Sequence, residues 1–382
     1  MGLAEVQVGS ICIEGELFDQ MIPLARPYLE GKVFKYIKEC IKTRWISSLG
    51  KFVVKFEDGF SKFCNTRYGI SVCNGTAALH LALKIIGITK GDEVIVPDLT
   101  FVAGANTVTY LGAKPIFVDS EMLTWNIDPQ KIEDEITSKT RAIIVVHLYG
   151  HPAQMTEISN IAKRHNLFIV EDACEAHGAL YRGKKVGSIG HLGVFSFYGN
   201  KIITTGEGGM IVTNSKKLND RARFLRDHAM SKHRRYFHTE IGFNYRLTNI
   251  QAAIGLAQLD KINYIIKKKI EIASLYNTLL KDVDGVILPP KQDWAKNVYW
   301  MYSILMHKVS RGKLIKRLSG YGIETRPFFI PMHRLPPFRI NESFPVSDHL
   351  SKCGINLPCF VGIKEREIEF ICDKIKEILV RG

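Results

Sequence analysis

The sequence has no run of about 18 apolar residues, the length a helix needs to cross a bilayer. It also has no CxxC pair. The eight cysteines, Cys12, Cys40, Cys64, Cys73, Cys174, Cys353, Cys359 and Cys372, are scattered, several of them in apolar stretches. That usage fits reduced core thiols in a cytoplasmic protein rather than a disulfide framework. No basic stretch leads into an apolar core near the N-terminus, and the opening Met-Gly lacks the hydroxyl residue of a myristoylation signal. A secretory leader, a lipid anchor and a membrane are therefore not expected. Acidic residues are scarce: 38 Asp and Glu stand against 52 Lys and Arg, a formal charge of +14. No zinc-finger spacing and no basic run interleaved with aromatics accompanies that charge, so nucleic acid is not an expected partner. A basic surface that steers an anionic small molecule is the better reading. Internal repeats and low-complexity tracts are missing too.

What remains is a chain of 382 residues with 46% hydrophobic and 24% charged content, ordinary for a globular protein. That length suits one large domain and one smaller domain. From about residue 70 to 250, short apolar runs alternate with helical stretches. The runs are EVIVP (93–97), PIFVD (115–119), AIIVVH (142–147), LFIVED (167–172), VFSF (194–197) and MIVT (210–213). Helical spacing marks 33–42, 76–86 and 157–165, and the whole of 248–281 reads as helical. Apolar strands alternating with helices predict an α/β fold with a mostly parallel central sheet, covered on both faces. Residues from about 285 mix strand-like runs, proline-rich turns and a last amphipathic helix, a smaller C-terminal α/β domain. The expected boundaries are an N-terminal extension at 1–22, a large domain at 23–260, and a connecting helix with the small domain at 261–382.

Four segments carry chemistry-bearing residues at strand ends, where ligands bind in such sheets. In NGTAALHLAL (74–83), Gly75 permits a tight turn and Thr76 is read as the N-cap of a helix, whose free amides would suit an anion. In EDACEAHGA (171–179), Asp172 ends an apolar strand and is either a helix cap or a crevice carboxylate. In SFYGNKIITTGEGGMI (196–211), Lys201 follows an apolar strand, with Ser196 before it and Gly206, Gly208 and Gly209 just after. A loop lysine is ordinarily a solvated charge, but in a desolvated cleft it becomes a nucleophile. In GFNYRLTNIQAAIGLAQL (242–259), Asn244 and Arg246 precede a helix capped by Thr248 or Asn249; a purely structural turn explains them equally well.

Together these four segments resemble the DegT/DnrJ/EryC1/StrS family of sugar aminotransferases dependent on pyridoxal 5'-phosphate (PLP). The resemblance runs from about Ile22 to the C-terminus. It implies the aspartate-aminotransferase-like fold, fold type I, in a homodimer with shared active sites. It further implies that Lys201 holds PLP covalently as a Schiff base and moves protons, with pyridoxamine phosphate as the intermediate form of the cofactor. By the same resemblance Asp172 partners the pyridine nitrogen, and Gly75, Thr76 and Ser196 bind the phosphate. Phe101 stacks on the ring and Glu175 lies beside the cofactor. Asn244 reaches the phosphate of the other subunit's PLP. His177 is read as structural. Dehydratase relatives carry histidine in place of the lysine, and members read as regulators would lose it; Lys201 argues against both.

Two stretches, 43–57 and 227–249, are most similar to the perosamine-synthase branch and next to viosamine synthases. This implies transfer of an amino group from L-glutamate to C-4 of a nucleotide-linked 4-keto-6-deoxyhexose, the GDP-linked sugar first, with UDP- or dTDP-linked sugars and 3-amination as alternatives. Trp45, Ser47, Ser48, His228, Arg234, Tyr236, His238, Arg326 and His333 are the candidates to line the sugar-nucleotide site. The His-rich stretch 228–238 has no standard metal spacing, so no metal is expected there.

Overall fold

A computed structural model describes residues 11–13, 16–18 and 21–380. Most of the expected N-terminal extension lies outside the described residues; its two short strands, Ile11–Ile13 and Glu16–Phe18, pair antiparallel.

Seven strands form the central sheet. They are β1 (Tyr68–Val72), β2 (Glu93–Pro97), β3 (Lys114–Val118), β4 (Thr140–Val146), β5 (Phe168–Asp172), β6 (Leu192–Ser196) and β7 (Gly209–Thr213). Their spatial order is β1-β7-β6-β5-β4-β2-β3, and only β7 runs antiparallel to its neighbours. The β6 and β7 side chains are buried throughout, which is why these strands read as continuous apolar runs rather than alternating ones. The α/β fold with a mostly parallel sheet is therefore present. One strand escaped the sequence pattern. β1 reads YGISV, and its polar Ser71 is buried because Glu57 accepts from both its backbone N and its Oγ (2.9 and 2.8 Å). Gly69 lets the helix carrying Glu57 approach: a Cβ there would stand 2.6 Å from the Glu57 carbonyl oxygen.

Five helices matter for the site: α1 (Val33–Thr43), α2 (Lys51–Phe63), α3 (Gly75–Ile85), α4 (Asn249–Leu259) and α5 (Ile262–Leu280). The N-cap of α3 is Asn74, whose Oδ1 accepts from Ala77 N at 2.8 Å, so the assignment to Thr76 is corrected. Asn74 is extended, as a cap must be, whereas Thr76 already lies in the first turn. The cap of α4 is Thr248, in a reciprocal capping box with Gln251. The stretch 248–281 is two helices rather than one, broken at Asp260 and Lys261.

Helix α5 spans two cores. Ile262, Ile265 and Ile266 join the core under the large sheet, whereas Ile272, Ala273, Tyr276 and Leu280 join a C-terminal core. There β8 (Val286–Ile287), β9 (Tyr302–Met306), β10 (Arg326–Pro327) and β11 (Gly354–Leu357) form an antiparallel sheet ordered β8-β9-β11-β10. The last helix, Glu365–Val380, closes it. Ile22 is stitched to this C-terminal unit by backbone bonds to Gly322 and Glu324 (2.8 and 2.9 Å). Among the described residues no helix is long and apolar enough to cross a membrane.

Candidate active site

The carboxyl ends of β1, β2, β4, β5 and β6 open onto one cavity of about 460 Å³. Such an edge is where open α/β sheets hold ligands, because backbone amides and helix starts converge there. Gly75 and Thr76 enter after β1, Phe101 after β2, Asp172 and Glu175 at the end of β5, and Ser196 and Lys201 at and after β6. The C-terminal unit closes the mouth with Trp300, Arg326 and Phe329.

One corner is a tight junction of backbone. A Cβ on Gly75 would stand 2.9 Å from Ser196 Cβ, and one on Gly209 would stand 2.4 Å from the Asn74 carbonyl oxygen. The start of α3 thus lies flush against the ends of β6 and β7. Its first amides have no partner within the helix and carry the positive end of the helix dipole. Ser196 is buried at the same corner and presents a hydroxyl.

Lys201 also lines the cavity. Its side chain is 12% exposed, and Nζ lies 3.7 Å from the centre of the Trp300 ring and 3.9 Å from Glu175 Oε1. The indole face is a cation platform, and its Nε1 donates to Asn200 O at 2.8 Å, which fixes the ring. Glu175 is buried and its Oε2 accepts from Tyr149 N at 2.8 Å. Burial pushes its carboxyl up to about 7, against the opposing pull of Lys201 and the Tyr149 amide. Asp172 Oδ1 accepts from Cys174 N at 3.1 Å, so the carboxylate is oriented while it borders the cavity. His177 lies among Phe60, Phe195 and Phe197 and does not line the cavity; burial lowers its pKa to about 3, so it is a neutral core residue.

The sugar-site candidates divide. Arg326 lines the cavity, as does Phe101, the ring-stacking candidate, which is 56% exposed and lies 5.9 Å from Phe329. Trp45, Ser47 and Ser48 sit outside it, in the loop between α1 and α2. There Trp45 O accepts from Asn249 Nδ2 (2.7 Å) and Ser47 O from Asn249 N (2.6 Å). His228, Arg234, Tyr236 and His238 belong to a surface excursion held by the Met230–His238 bridge; Tyr236 is 75% exposed. Asn244 is exposed, and its Oδ1 accepts from Arg246 Nε (3.1 Å). None of these lines the cavity of its own chain. His333 is corrected more sharply. It is buried, its Nδ1 bonds Asp98 Oδ2 at 2.8 Å, its backbone N donates to Asp98 Oδ1 at 2.9 Å, and Phe344 stacks on its ring. It anchors the loop after β2 to the C-terminal unit and does not face the cavity. Trp300, Tyr198, Glu207 and Phe329, which do line the cavity, escaped the sequence reading. Trp300 sits in an aromatic run, KNVYWMYS, that carries no motif.

The DegT/DnrJ/EryC1/StrS aminotransferase family matches residues 27–376. The chain belongs to this family. It is a transaminase, and PLP is its cofactor. The chain is 46% identical over 361 residues to the GDP-perosamine synthase of Escherichia coli O157:H7, covering 93% of this chain and 98% of that one. It is 45% identical over 365 residues to the GDP-perosamine synthase of Caulobacter vibrioides, covering 94% and 98%. Among solved structures, S. venezuelae DesV superposes with a TM-score of 0.89 at 31% identity, covering 95% of this chain and all of that one. Aspartate-aminotransferase-like architecture and cofactor class, both implied by the sequence motifs, agree with these relatives.

Proposed function

We propose that this family member is a GDP-perosamine-synthase-like enzyme, moving the amino group of L-glutamate to C-4 of GDP-4-keto-6-deoxymannose and releasing 2-oxoglutarate. The observation that carries the proposal is the likeness to two GDP-perosamine synthases, 46% and 45% identical over nearly the whole chain. The formal charge of +14 agrees with an anionic sugar nucleotide.

The cavity has the fittings PLP requires. The α3 amides at Gly75 and Thr76, with Ser196 Oγ, would hold its phosphate. The Asp172 carboxylate would hold the ring nitrogen in its charged form, Phe101 would lie against the ring, and Glu175 would border it. Lys201 Nζ would attach it covalently. Bound there, PLP supplies an electron sink for charge that develops at the substrate carbon. The residues of the chain do the rest. Lys201 Nζ, once free, takes the α-proton of glutamate and later returns a proton to the sugar C-4 from one face. Glu175, neutral over much of the range below pH 7, leaves the lysine without a fixed counter-charge. Trp300 roofs the amine and limits water.

The second subunit completes the reading. Phe34, Ile41, Trp45, Ile46, Leu49 and Val54 are exposed apolar residues of α1, α2 and their connection, the kind of surface that an interface covers. A homodimer through this face would cover them and bring Asn244 and the 228–238 excursion to a neighbouring cavity. We further infer a large unit at 23–260 and a C-terminal unit from 261; what supports it is the separate C-terminal core of Ile272, Tyr276, Tyr302 and Leu357, while Ile262, Val298, Trp300 and Phe328 pack into the large core across that boundary.

The test is a substrate panel. Purified enzyme with L-glutamate is offered GDP-4-keto-6-deoxymannose, UDP- and dTDP-4-keto-6-deoxyglucose, and a 3-keto isomer, and the amino-sugar product is read by mass spectrometry. The GDP sugar is expected to show the highest kcat/KM. Preference for the 3-keto isomer or for a UDP or dTDP sugar would sink the assignment.

A further inference from the structure

Away from the cavity, the C-terminal unit holds a group of donors that transamination does not use. His349 and Cys353 lie four residues apart on the helix Pro345–Cys353 and therefore share one face. His307 immediately follows β9, and its backbone N donates to Gly285 O (3.0 Å), which fixes the chain at that point. The two imidazoles face each other with ring centres 5.3 Å apart and planes inclined by 21°. One donor atom from each residue, two imidazole nitrogens and one sulfur, lies within 4.8 Å of the other two.

We propose that His307, His349 and Cys353 form a binding site for one divalent transition ion of the zinc type, with water in the fourth position. The donor set selects the ion. Two imidazoles and a thiolate match zinc and its cobalt surrogate, whereas magnesium and calcium demand oxygen donors. Tetrahedral zinc, with bonds of about 2.0–2.1 Å to nitrogen and about 2.3 Å to sulfur, sets its donors roughly 3.5 Å apart. The three side chains must close by about an ångström, within reach of a rotamer adjustment of the exposed His307. His349 and Cys353 are half-buried, so two ligands are held by the fold and the third comes from the surface. On binding, the Cys353 S–H gives its proton to solvent and the sulfur joins the metal as thiolate; no oxidant or reductant is involved.

The site would act as a clasp. It joins the end of β9 to the helix whose Ser351 Oγ donates to Phe329 O at 2.8 Å, and Phe329 borders the active cavity. Just beyond Cys353, Gly354 lies so close under Phe328 that a Cβ would stand 2.2 Å from the ring. A metal holding this helix end thus steadies the wall of the cavity mouth without touching the chemistry.

The experiment titrates chelator-treated holoenzyme with Co²⁺ and reads the difference spectrum, followed by displacement with Zn²⁺. Expected are one equivalent per chain, a thiolate-to-cobalt charge-transfer absorption, and a thermal midpoint that rises with metal concentration. Cys353→Ser should abolish the charge-transfer signal, and His349→Ala and His307→Gln should each weaken binding at least tenfold. Circular dichroism without metal verifies that each variant is folded. His307→Gln removes an exposed side chain, so it remains informative even if Cys353→Ser does not fold. Failure of the wild type to take up an equivalent, or unchanged affinity in His307→Gln, would overturn the site and leave the histidine pair as a packing contact only.

Discussion

The floor of the cavity and its rim are built on different terms. The floor comes from strand ends and from the turns directly after them, so each residue's position follows from the strand before it. Asp172 closes β5, Ser196 closes β6, and Gly75 opens α3 with only Cys73 and Asn74 between it and β1. The rim comes from distant segments: Trp300, Arg326 and Phe329 from the C-terminal unit, with the 44–50 loop and the 228–238 excursion lying outside altogether. Floor residues are over-determined by sheet pairing and glycine-tight contacts; rim residues depend on how separate pieces meet. The difference predicts that floor substitutions abolish chemistry, whereas rim substitutions change which substrate is held.

The largest effect should come from Lys201→Ala. It removes the amine proposed to move protons in both half-reactions, and general acid–base catalysis alone is worth on the order of 10²–10⁴-fold. 2-Oxoglutarate formation should fall at least that far, with the fold intact by circular dichroism. A variant within tenfold of wild type would mean that the floor does not hold the chemistry.

The same contrast explains what was legible beforehand. Six of the seven sheet strands stood out as apolar runs, and all but the edge strand β3 are mostly buried. β1 did not, because its interior holds Ser71 and Gly69 for Glu57, a polar arrangement that looks like a loop in one dimension. The end of hydrophobicity at strand ends made Lys201 and Asp172 candidates, but the roles proposed for them came from the family resemblance and not from that pattern. The cap was read as Thr76, a good capping residue, but Asn74 is one too, and the backbone gives it the cap. His333 was misplaced for a related reason: its partner Asp98 lies 235 residues away, and no spacing reveals a pair across that distance. Trp300 was missed because its role depends on meeting Lys201 in space.

Glu175 sharpens the comparison from within the floor. Its carboxyl is raised from an ordinary 4.5 to about 7 by burial. In the unfolded chain it loses its proton near pH 4.5, and in the folded chain only near pH 7. Folding therefore loses stability as pH rises through that window, because the unfolded state ionises first. Glu175→Gln carries no such penalty. In the cofactor-free enzyme it should match wild type below pH 4.5 and exceed it above pH 7 by about 3 kcal/mol, since each tenfold change in proton affinity is worth about 1.4 kcal/mol. Denaturant titrations on either side of the window, in acid and in mild base, read the difference. A variant no more stable than wild type in mild base would show that the buried carboxyl is solvated after all.

The smallest effect tests the rim, through two residues that the sequence placed in one group. Arg234 is exposed beside Phe237, 5.0 Å from its ring centre, and makes no part of the fold's interior. His333 is buried between Asp98 and Phe344. His333→Ala takes the imidazole from Asp98 Oδ2 and leaves the carboxyl only the backbone N–H on Oδ1; breaking a buried pair costs up to about 3–5 kcal/mol. Its signature should be a lower unfolding midpoint, with KM for the sugar nucleotide unchanged in the folded fraction. Arg234→Ala should do the reverse. Its stability should stay within about 0.5 kcal/mol of wild type, as for surface substitutions generally. If the excursion reaches a neighbouring subunit's cavity, KM for the sugar nucleotide should rise several-fold, while the half-reaction with glutamate keeps its rate. The split between the two half-reactions is the decisive reading, because a general loss of structure would slow both. An Arg234→Ala enzyme with wild-type KM for the nucleotide would remove the 228–238 excursion from the substrate site and leave Arg326 as the arginine at the mouth of the cavity.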